Sequence, residues 1–122
     1  MKLHLSDAPG KNLFTGYGAG YVLVNGVRHE NNLIVRPESI DPWKEGDVAN
    51  LAAEDFDRLA ALGVEIVLLG TGTTLRFPSP SLGARVLSAG VGLEVMDSGA
   101  VCRTYNILVA EGRNVAAALI VD

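Results

Sequence analysis

The stretch VGLEVMDSGAVCRTYN, residues 91–106, decides the fold class of this 122-residue chain. Its first part, residues 91–96, is rich in apolar and β-branched side chains and predicts a buried strand. Three small or polar residues then interrupt the run, and the pattern after them predicts a helix over about residues 100–110. A strand that passes directly into a helix is typical of α/β folds.

A second strand and a helix precede this stretch and determine its topology. Residues 64–69, VEIVLL, form a β-branched run that predicts another buried strand. Ser79 followed by Pro80 predicts a helix start, because a hydroxyl caps free amides and proline fits the first turn. This helix is expected to reach Ala89 and to close at Gly90. Strand, helix and strand joined this closely predict two parallel strands with a right-handed crossover.

Further elements complete the α/β pattern. From Leu51 onward the apolar residues recur on one arc of a helical projection, and this amphipathic helix is expected to stop at Gly63. Residues 115–121 predict a final strand after a glycine cap at Gly112. Trp43 lies in the loop before the first helix. A loop tryptophan either anchors a partner or covers the core, and the covering role is favoured here.

The N-terminal third predicts a β-hairpin. Residues 21–24, YVLV, lead into Asn25 and Gly26, a pair that tolerates the positive φ of a tight turn. Residues 33–35 are expected to supply the returning strand. Just upstream, the glycines of GYGAG at residues 16–20 indicate a bulged or closely approached strand.

Composition limits the function classes. The chain is 48% apolar and 20% charged, which predicts one folded domain over residues 1–122. A net charge of −4 without a basic cluster excludes a typical nucleic-acid surface. The N-terminus MKLHLSDAPGKN lacks the apolar core of a secretory signal, and the single cysteine forms no internal disulfide, so a cytoplasmic location is expected. The longest apolar run is far shorter than the ~20 residues that cross a bilayer, so no membrane span is expected.

The loops after the two parallel strands predict a binding crevice. Parallel neighbours end at the same sheet edge, so the loop 70–72 and the loop 97–99 are expected to share it. The second loop opens a helix whose amides and dipole favour an anion. Alternatively, the glycines only make turns and Asp97 or Ser98 only caps the helix. The candidate ligand-binding residues are Gly70, Thr71, Gly72, Arg76, Asp97, Ser98, Gly99, Arg103 and Asn106.

Arginine and asparagine side chains extend this prediction. Arg103 and Asn106 are three residues apart on one helix face, so both can point to one ligand or to one neighbouring loop. Arg76, after the first loop, can add a second cation to the crevice. The alternative for a partly buried arginine is a structural ion pair, here with Asp97 or Glu94.

Cys102 is the one candidate nucleophile. It falls near the first turn of its helix, where the dipole and Arg103 would stabilise a thiolate. On a helical projection, however, it lies on the apolar side beside Val109, which favours an inert core thiol. Neither His4 nor His29 is close in sequence, so no cysteine–histidine pair and no metal-ligand spacing can be argued.

No cofactor is expected either. The stretch GTGTTL at residues 70–75 resembles a nucleotide loop at first sight. A dinucleotide fingerprint starting at Gly70 would need glycine at position 75, where the chain has Leu75. A P-loop would need a Gly-Lys-Ser/Thr ending, which is absent.

Several of these pieces together resemble a known family. They are GYGAGYVLVNG at 16–26, Pro42 with Trp43, VLLGTG at 67–72, FPSPSL at 77–82 and LEVMDSGAVCRTYNILVAEGRNVAAALI at 93–120. The chain is similar to domain-of-unknown-function family 498, which includes the mitochondrial respiratory complex I assembly factor 3 and uncharacterised bacterial and archaeal proteins. Ser98 stands where the family's threonine is expected, a change that keeps the hydroxyl.

The resemblance implies a compact three-layer α/β domain, with a mixed central sheet flanked by helices and an N-terminal β-hairpin. It supplies no catalytic residues. The first functional hypothesis is therefore a non-catalytic binding or assembly protein, whose partner is a respiratory-complex subunit by resemblance or a small anionic ligand. The alternative is a small enzyme that uses Cys102 as nucleophile on an anionic small molecule. The oligomeric state is open.

Overall fold

The computed structural model describes residues 10–122, so His4 and most of the N-terminal stretch lie outside the described residues. Eight strands and three helices follow one another in these residues. In chain order they are β1 (Phe14–Gly18), β2 (Tyr21–Val24), β3 (Val27–His29), β4 (Leu33–Arg36), β5 (Ser39–Pro42), a 3-10 turn (Val48–Asn50), α1 (Ala53–Ala60), β6 (Ile66–Thr71), α2 (Pro80–Leu87), β7 (Gly92–Met96), α3 (Ser98–Ala110) and β8 (Val115–Ile120).

The strands form two sheets. β1, β2 and β3 make a three-stranded antiparallel sheet, and the other five strands make a mixed sheet in the order β5-β4-β8-β6-β7. β6 pairs in parallel with β7 on one side and with β8 on the other, while β4 runs antiparallel to β8 and β5. The predicted parallel pair is therefore confirmed, and both of its strands end at the edge where β8 also ends.

Three layers result from the alternation of side chains along the central strands. On β8, Val115, Ala117 and Leu119 pack against α3 and the three-stranded sheet, whereas the residues between them pack against α1 and α2. Because β8 is buried on both faces, all of its residues are apolar. Trp43 is buried in the second cluster, which confirms its covering role. The predicted three-layer α/β domain with a mixed central sheet is confirmed.

The hairpin forms at the predicted turn but returns through a different strand. Asn25 and Gly26 have φ values of 49° and 82°, as a tight hairpin turn requires. The returning strand is β3, so the prediction of residues 33–35 for this role was wrong. Leu33, Ile34 and Val35 are buried on both faces and therefore belong between two neighbours, β5 and β8, in the larger sheet.

The glycine-rich start of the hairpin is bulged and closely approached, as predicted. The β1–β2 register shifts between Phe14 and Gly16. At Gly18 an added Cβ would lie 2.6 Å from a ring carbon of Tyr21, so the tyrosine ring lies directly on the bare glycine backbone. This contact positions Tyr21 beside the sheet edge described below.

The start of α2 differs from the prediction in its cap. Pro80 occupies the first turn of α2 as expected. The Ser79 hydroxyl lies 3.1 Å from the Ser81 hydroxyl and accepts no hydrogen bond from a helix amide, so the predicted serine cap is wrong.

None of the helices in residues 10–122 combines the length and the apolar character of a bilayer-spanning segment.

Candidate functional site

Ser98 joins the ends of β6 and β8 at the start of α3. Its amide donates to the Gly72 carbonyl at 2.8 Å, and its hydroxyl accepts from the Gly72 amide at 2.9 Å. The same hydroxyl donates to the Ile120 carbonyl at 2.6 Å. The loops after the parallel strands therefore meet as predicted, through a side chain whose hydroxyl is already engaged as donor and acceptor.

Gly70 and Thr71 build the framework under this contact. A Cβ on Gly70 would lie 2.7 Å from Ser98 Oγ and 3.0 Å from Ser98 Cα, so only glycine lets α3 start this close to β6. The buried Thr71 hydroxyl donates to the Thr74 carbonyl at 2.8 Å and accepts from the Arg76 amide at 3.1 Å. Neither residue offers a side-chain group to a ligand.

A small crevice opens beside Ser98 at the carboxyl ends of the strands. Its volume is about 160 Å³, and loops and the hairpin line it together. Small-molecule sites usually measure roughly 300–1,000 Å³, so the crevice is closer to the size of one side chain. The lining residues are Tyr17, Gly18, Tyr21, Val22, Gly72, Thr73, Asp97, Ser98, Gly99, Ile120, Val121 and Asp122.

Arg103 stands at the rim of the crevice and contacts Tyr17. The Tyr17 ring lies on Gly99, where an added Cβ would come 2.5 Å from a ring carbon. Arg103 donates a hydrogen bond to the Tyr17 hydroxyl, and its guanidinium carbon lies 5.8 Å from the ring centroid. The hairpin therefore provides the partner of Arg103, in place of the Asp97 or Glu94 carboxylate that the sequence suggested.

The charges around the crevice disfavour an anion. The Asp97 carboxylate accepts from the Ala100 amide at 2.9 Å, and its carbonyl accepts from the Val101 amide at 3.0 Å, so Asp97 caps α3. Asp122 adds a second carboxylate, which accepts from the Thr73 amide at 2.7 Å. With the first-turn amides at positions 98, 100 and 101 engaged and two carboxylates in the lining, the expected attraction of an anion to this helix start is largely cancelled.

Arg76 and Asn106, like Gly70, Thr71 and Arg103, were predicted as site residues but do not line the crevice. The turn held by Thr71 directs Arg76 away, and its Nη1 lies 3.4 Å from Asp47 Oδ2. Asn106 is buried, accepts from the Phe14 amide at 2.9 Å and donates to the Phe14 carbonyl at 2.8 Å. Asn106 thus fastens the hairpin to α3 and positions the crevice wall without lining it.

Cys102 is fully buried in the core that α3 forms with the hairpin and the central sheet. Burial raises the pKa of its thiol to about 12, and the nearby Arg103 charge offsets only part of that rise. The thiol is therefore protonated at neutral pH. No cluster of three or more metal-ligating side chains occurs in residues 10–122.

We predict that Cys102 stays unlabelled in the folded protein. Iodoacetamide at about pH 8 should modify it only after unfolding, because the reagent needs an accessible thiolate. The free energy of unfolding should also fall as pH rises from about 9 towards 12, since the thiol of the unfolded chain ionises first. This loss is on the order of 4 kcal/mol at pH 12.

The matched variant for this measurement is Cys102→Ala. Burial also raises the pKa of Tyr105, which adds to the alkaline loss of stability in both proteins, so the difference between their pH profiles isolates the thiol. Rapid labelling of the folded protein with an ordinary cysteine pKa would instead support the nucleophile hypothesis.

Sequence reasoning missed several crevice residues. Tyr17, Tyr21 and Asp122 line it but are separated from residues 70–99 by long stretches of chain. The available signal was Gly18 of GYGAG, because its bare backbone is the place where the Tyr21 ring lies. The position of the hairpin depends on packing of its sheet on α3, which no local pattern encodes.

Known proteins resemble this chain along most of its length. An uncharacterized protein of Rhodobacter capsulatus is 33% identical over 110 residues, which cover 86% of this chain and 81% of the relative. A Francisella tularensis protein named 13 kDa major membrane protein is 28% identical, and the match covers 88% of this chain and 89% of that protein. The bovine NADH dehydrogenase (ubiquinone) 1 alpha subcomplex assembly factor 3 is 30% identical over 116 residues, covering 93% of this chain. The matched part spans 63% of the length of that assembly factor.

Solved structures agree with the fold. A crystal structure of a Bordetella parapertussis protein is 39% identical, with a TM-score of 0.87 over 94% of this chain and 99% of that one. A Bordetella pertussis protein described as an Mth938-like domain is 34% identical, with a TM-score of 0.81 over 98% of this chain and 92% of that one. The model of the protein family of unknown function DUF498/DUF598 matches residues 14–120, and the chain belongs to that family.

Proposed function

We propose that this chain is a non-catalytic binding protein that assists assembly of a respiratory NADH dehydrogenase by holding one of its subunits. The observation that carries the proposal is the similarity to the assembly factor, because it extends over 93% of this chain. The domain described above is therefore the part that the two proteins share. A cytoplasmic location belongs to the same proposal.

The chemistry at the sheet edge supports a binding role over a catalytic one. The Ser98 hydroxyl is engaged on both sides, and Cys102 is buried with a raised thiol pKa. The crevice volume of about 160 Å³ suits one side chain of a partner protein better than a complete substrate.

The rim of the crevice has the side chains that dominate protein interfaces. Tyrosine and arginine are enriched among the residues that contribute most to binding. Tyr21 and Tyr17 are held in place by glycines beneath them, and Arg28 lies 4.1 Å over the Tyr21 ring while Arg103 contacts Tyr17. Such a prearranged surface loses little conformational entropy on binding. We propose that a subunit contacts this rim and inserts a side chain beside Asp97.

A capture experiment tests this proposal. The tagged chain, crosslinked in a host that contains NADH dehydrogenase, should recover subunits of that complex. Replacing Arg103 with alanine should lower the recovery about tenfold, which is the size of effect expected at an interface hot spot.

Arg113→Ala is the matched control for Arg103→Ala. Arg113 is also an exposed arginine, but it lies before the amino end of β8, away from the crevice at the carboxyl ends of the strands. There it pairs with Glu65 at 2.5 Å. It should leave the recovery unchanged. Recovery of background proteins alone, with crosslinking, would refute the assembly role. An equal loss with both variants would place the contact elsewhere.

A further inference from the structure

The outer edge of β7 is an open strand edge. β7 is the last strand of the five-stranded sheet, and no strand within residues 10–122 pairs with its outer side. Its register with β6 is continuous from Ile66 opposite Gly92 to Gly70 opposite Met96. Of the common devices that block further pairing at exposed edges, the strand has no proline, lysine or bulge, only a length of 5 residues and one charged side chain, Glu94. A further strand can therefore form backbone hydrogen bonds with β7 along this side.

An apolar strip accompanies this edge on the α2 side. An added Cβ on Gly83 would lie 3.3 Å from a methyl carbon of Leu93, so this face of α2 lies over β7. Leu87 is one turn further along the same face and is 58% exposed. Leu93 and Val95 are only partly buried. An additional strand beside β7 would cover all three side chains with apolar residues of its own.

The opposite face of β7 carries a charge. Glu94 is exposed at the centre of the strand and alternates with Leu93 and Val95, so it points to the α3 side of the sheet. It forms no ion pair within residues 10–122. A second copy that paired antiparallel about this centre would bring two Glu94 carboxylates together, which is destabilising. A strand with lysine or arginine on that face would instead complement Glu94.

We propose that β7 accepts an extended strand from a protein partner, with apolar residues facing Leu87 and a basic residue facing Glu94. Backbone hydrogen bonds supply affinity in this mode of recognition, and alternate side chains supply specificity. The inference rests on the proposed function in that the partner is a protein. The proposed surface is separate from the crevice, and the segment that binds there alternates apolar residues with basic ones.

Two labelled peptides of about ten residues test the proposal, one alternating valine with lysine and the other valine with glutamate. We expect the lysine peptide to bind the full chain by fluorescence anisotropy and to slow exchange of alternate β7 amides. We expect the glutamate peptide to bind about fivefold more weakly, since a cross-strand charge pair contributes up to about a kcal/mol. Glu94→Lys should reverse this preference, and Glu111→Lys, an exposed carboxylate beyond the end of α3, should preserve it.

Three results would overturn the edge proposal. They are no binding of the lysine peptide up to about 1 mM, protection of amides outside β7, and an unchanged preference in Glu94→Lys. Because this assay contains no dehydrogenase subunit, its failure leaves the capture experiment unaffected. Conversely, failed capture together with β7 protection would remove the assembly role and retain the strand site.

Discussion

Replacing Gly70 with alanine is expected to lower the free energy of unfolding by about 3 kcal/mol. The new methyl group would lie 2.7 Å from Ser98 Oγ and from a Leu119 methyl carbon, and 3.0 Å from Ser98 Cα. The side-chain contacts could relax by rotation, but the Ser98 backbone is held by Gly72 and by the start of α3. Urea unfolding at neutral pH measures the loss.

Gly92→Ala is the matched control for Gly70→Ala. Both glycines lie in the parallel β6–β7 pair, and the nearest atoms to a Cβ on Gly92 are 3.4 Å away, which is ordinary van der Waals contact. Its effect should stay within about 1 kcal/mol. Equal effects at the two glycines would show that strand propensity, rather than the close approach of α3 to β6, determines the result.

Replacing Asn106 with leucine is expected to destabilise the chain by roughly 3 kcal/mol. The side chain is buried and exchanges two hydrogen bonds with the backbone of Phe14, which is itself fully buried. Leucine fills a similar volume but leaves both Phe14 groups without these partners. Thermal unfolding should show a decrease in Tm of about 10 °C.

Asn114→Leu tests whether burial causes this loss. The side-chain amide of Asn114 also donates a hydrogen bond to a backbone carbonyl, that of Gly63 at 2.9 Å. This bond is exposed, so water can replace it. The expected loss is below about 1 kcal/mol. A loss at Asn114 as large as that at Asn106 would contradict the role of Asn106 as a buried fastener of the hairpin.

The C-terminal half of the fold was predictable because its signals are local. Helical periodicity, β-branched runs and glycines at the ends of elements all lie within short windows of sequence. A helical crossover between neighbouring strands makes β6 and β7 parallel, and such crossovers are right-handed. From that pairing alone, the meeting of Gly72 and Ser98 follows.

The N-terminal third and most of the crevice lining were not predictable in this way. A β-run that follows a turn, such as residues 33–35, fits a hairpin or a central sheet equally well by local pattern, and only burial on both faces places it in the central sheet. Asn106 and Arg76 had the chemistry of ligand-binding residues, yet their partners, Phe14 and Asp47, are far away in sequence. Tyr17 reaches the crevice through packing of one sheet on α3, which periodicity does not encode.

A photo-crosslinking amino acid at Thr73 tests the central claim most directly, namely that a protein partner binds at the crevice. Thr73 is exposed and lines the crevice, and Arg113, exposed at the opposite sheet edge, is the control position. In a host with NADH dehydrogenase, the probe at position 73 should crosslink a subunit of that complex and the probe at position 113 should not. Crosslinks from position 113 alone, or none to the complex from either position, would contradict the account.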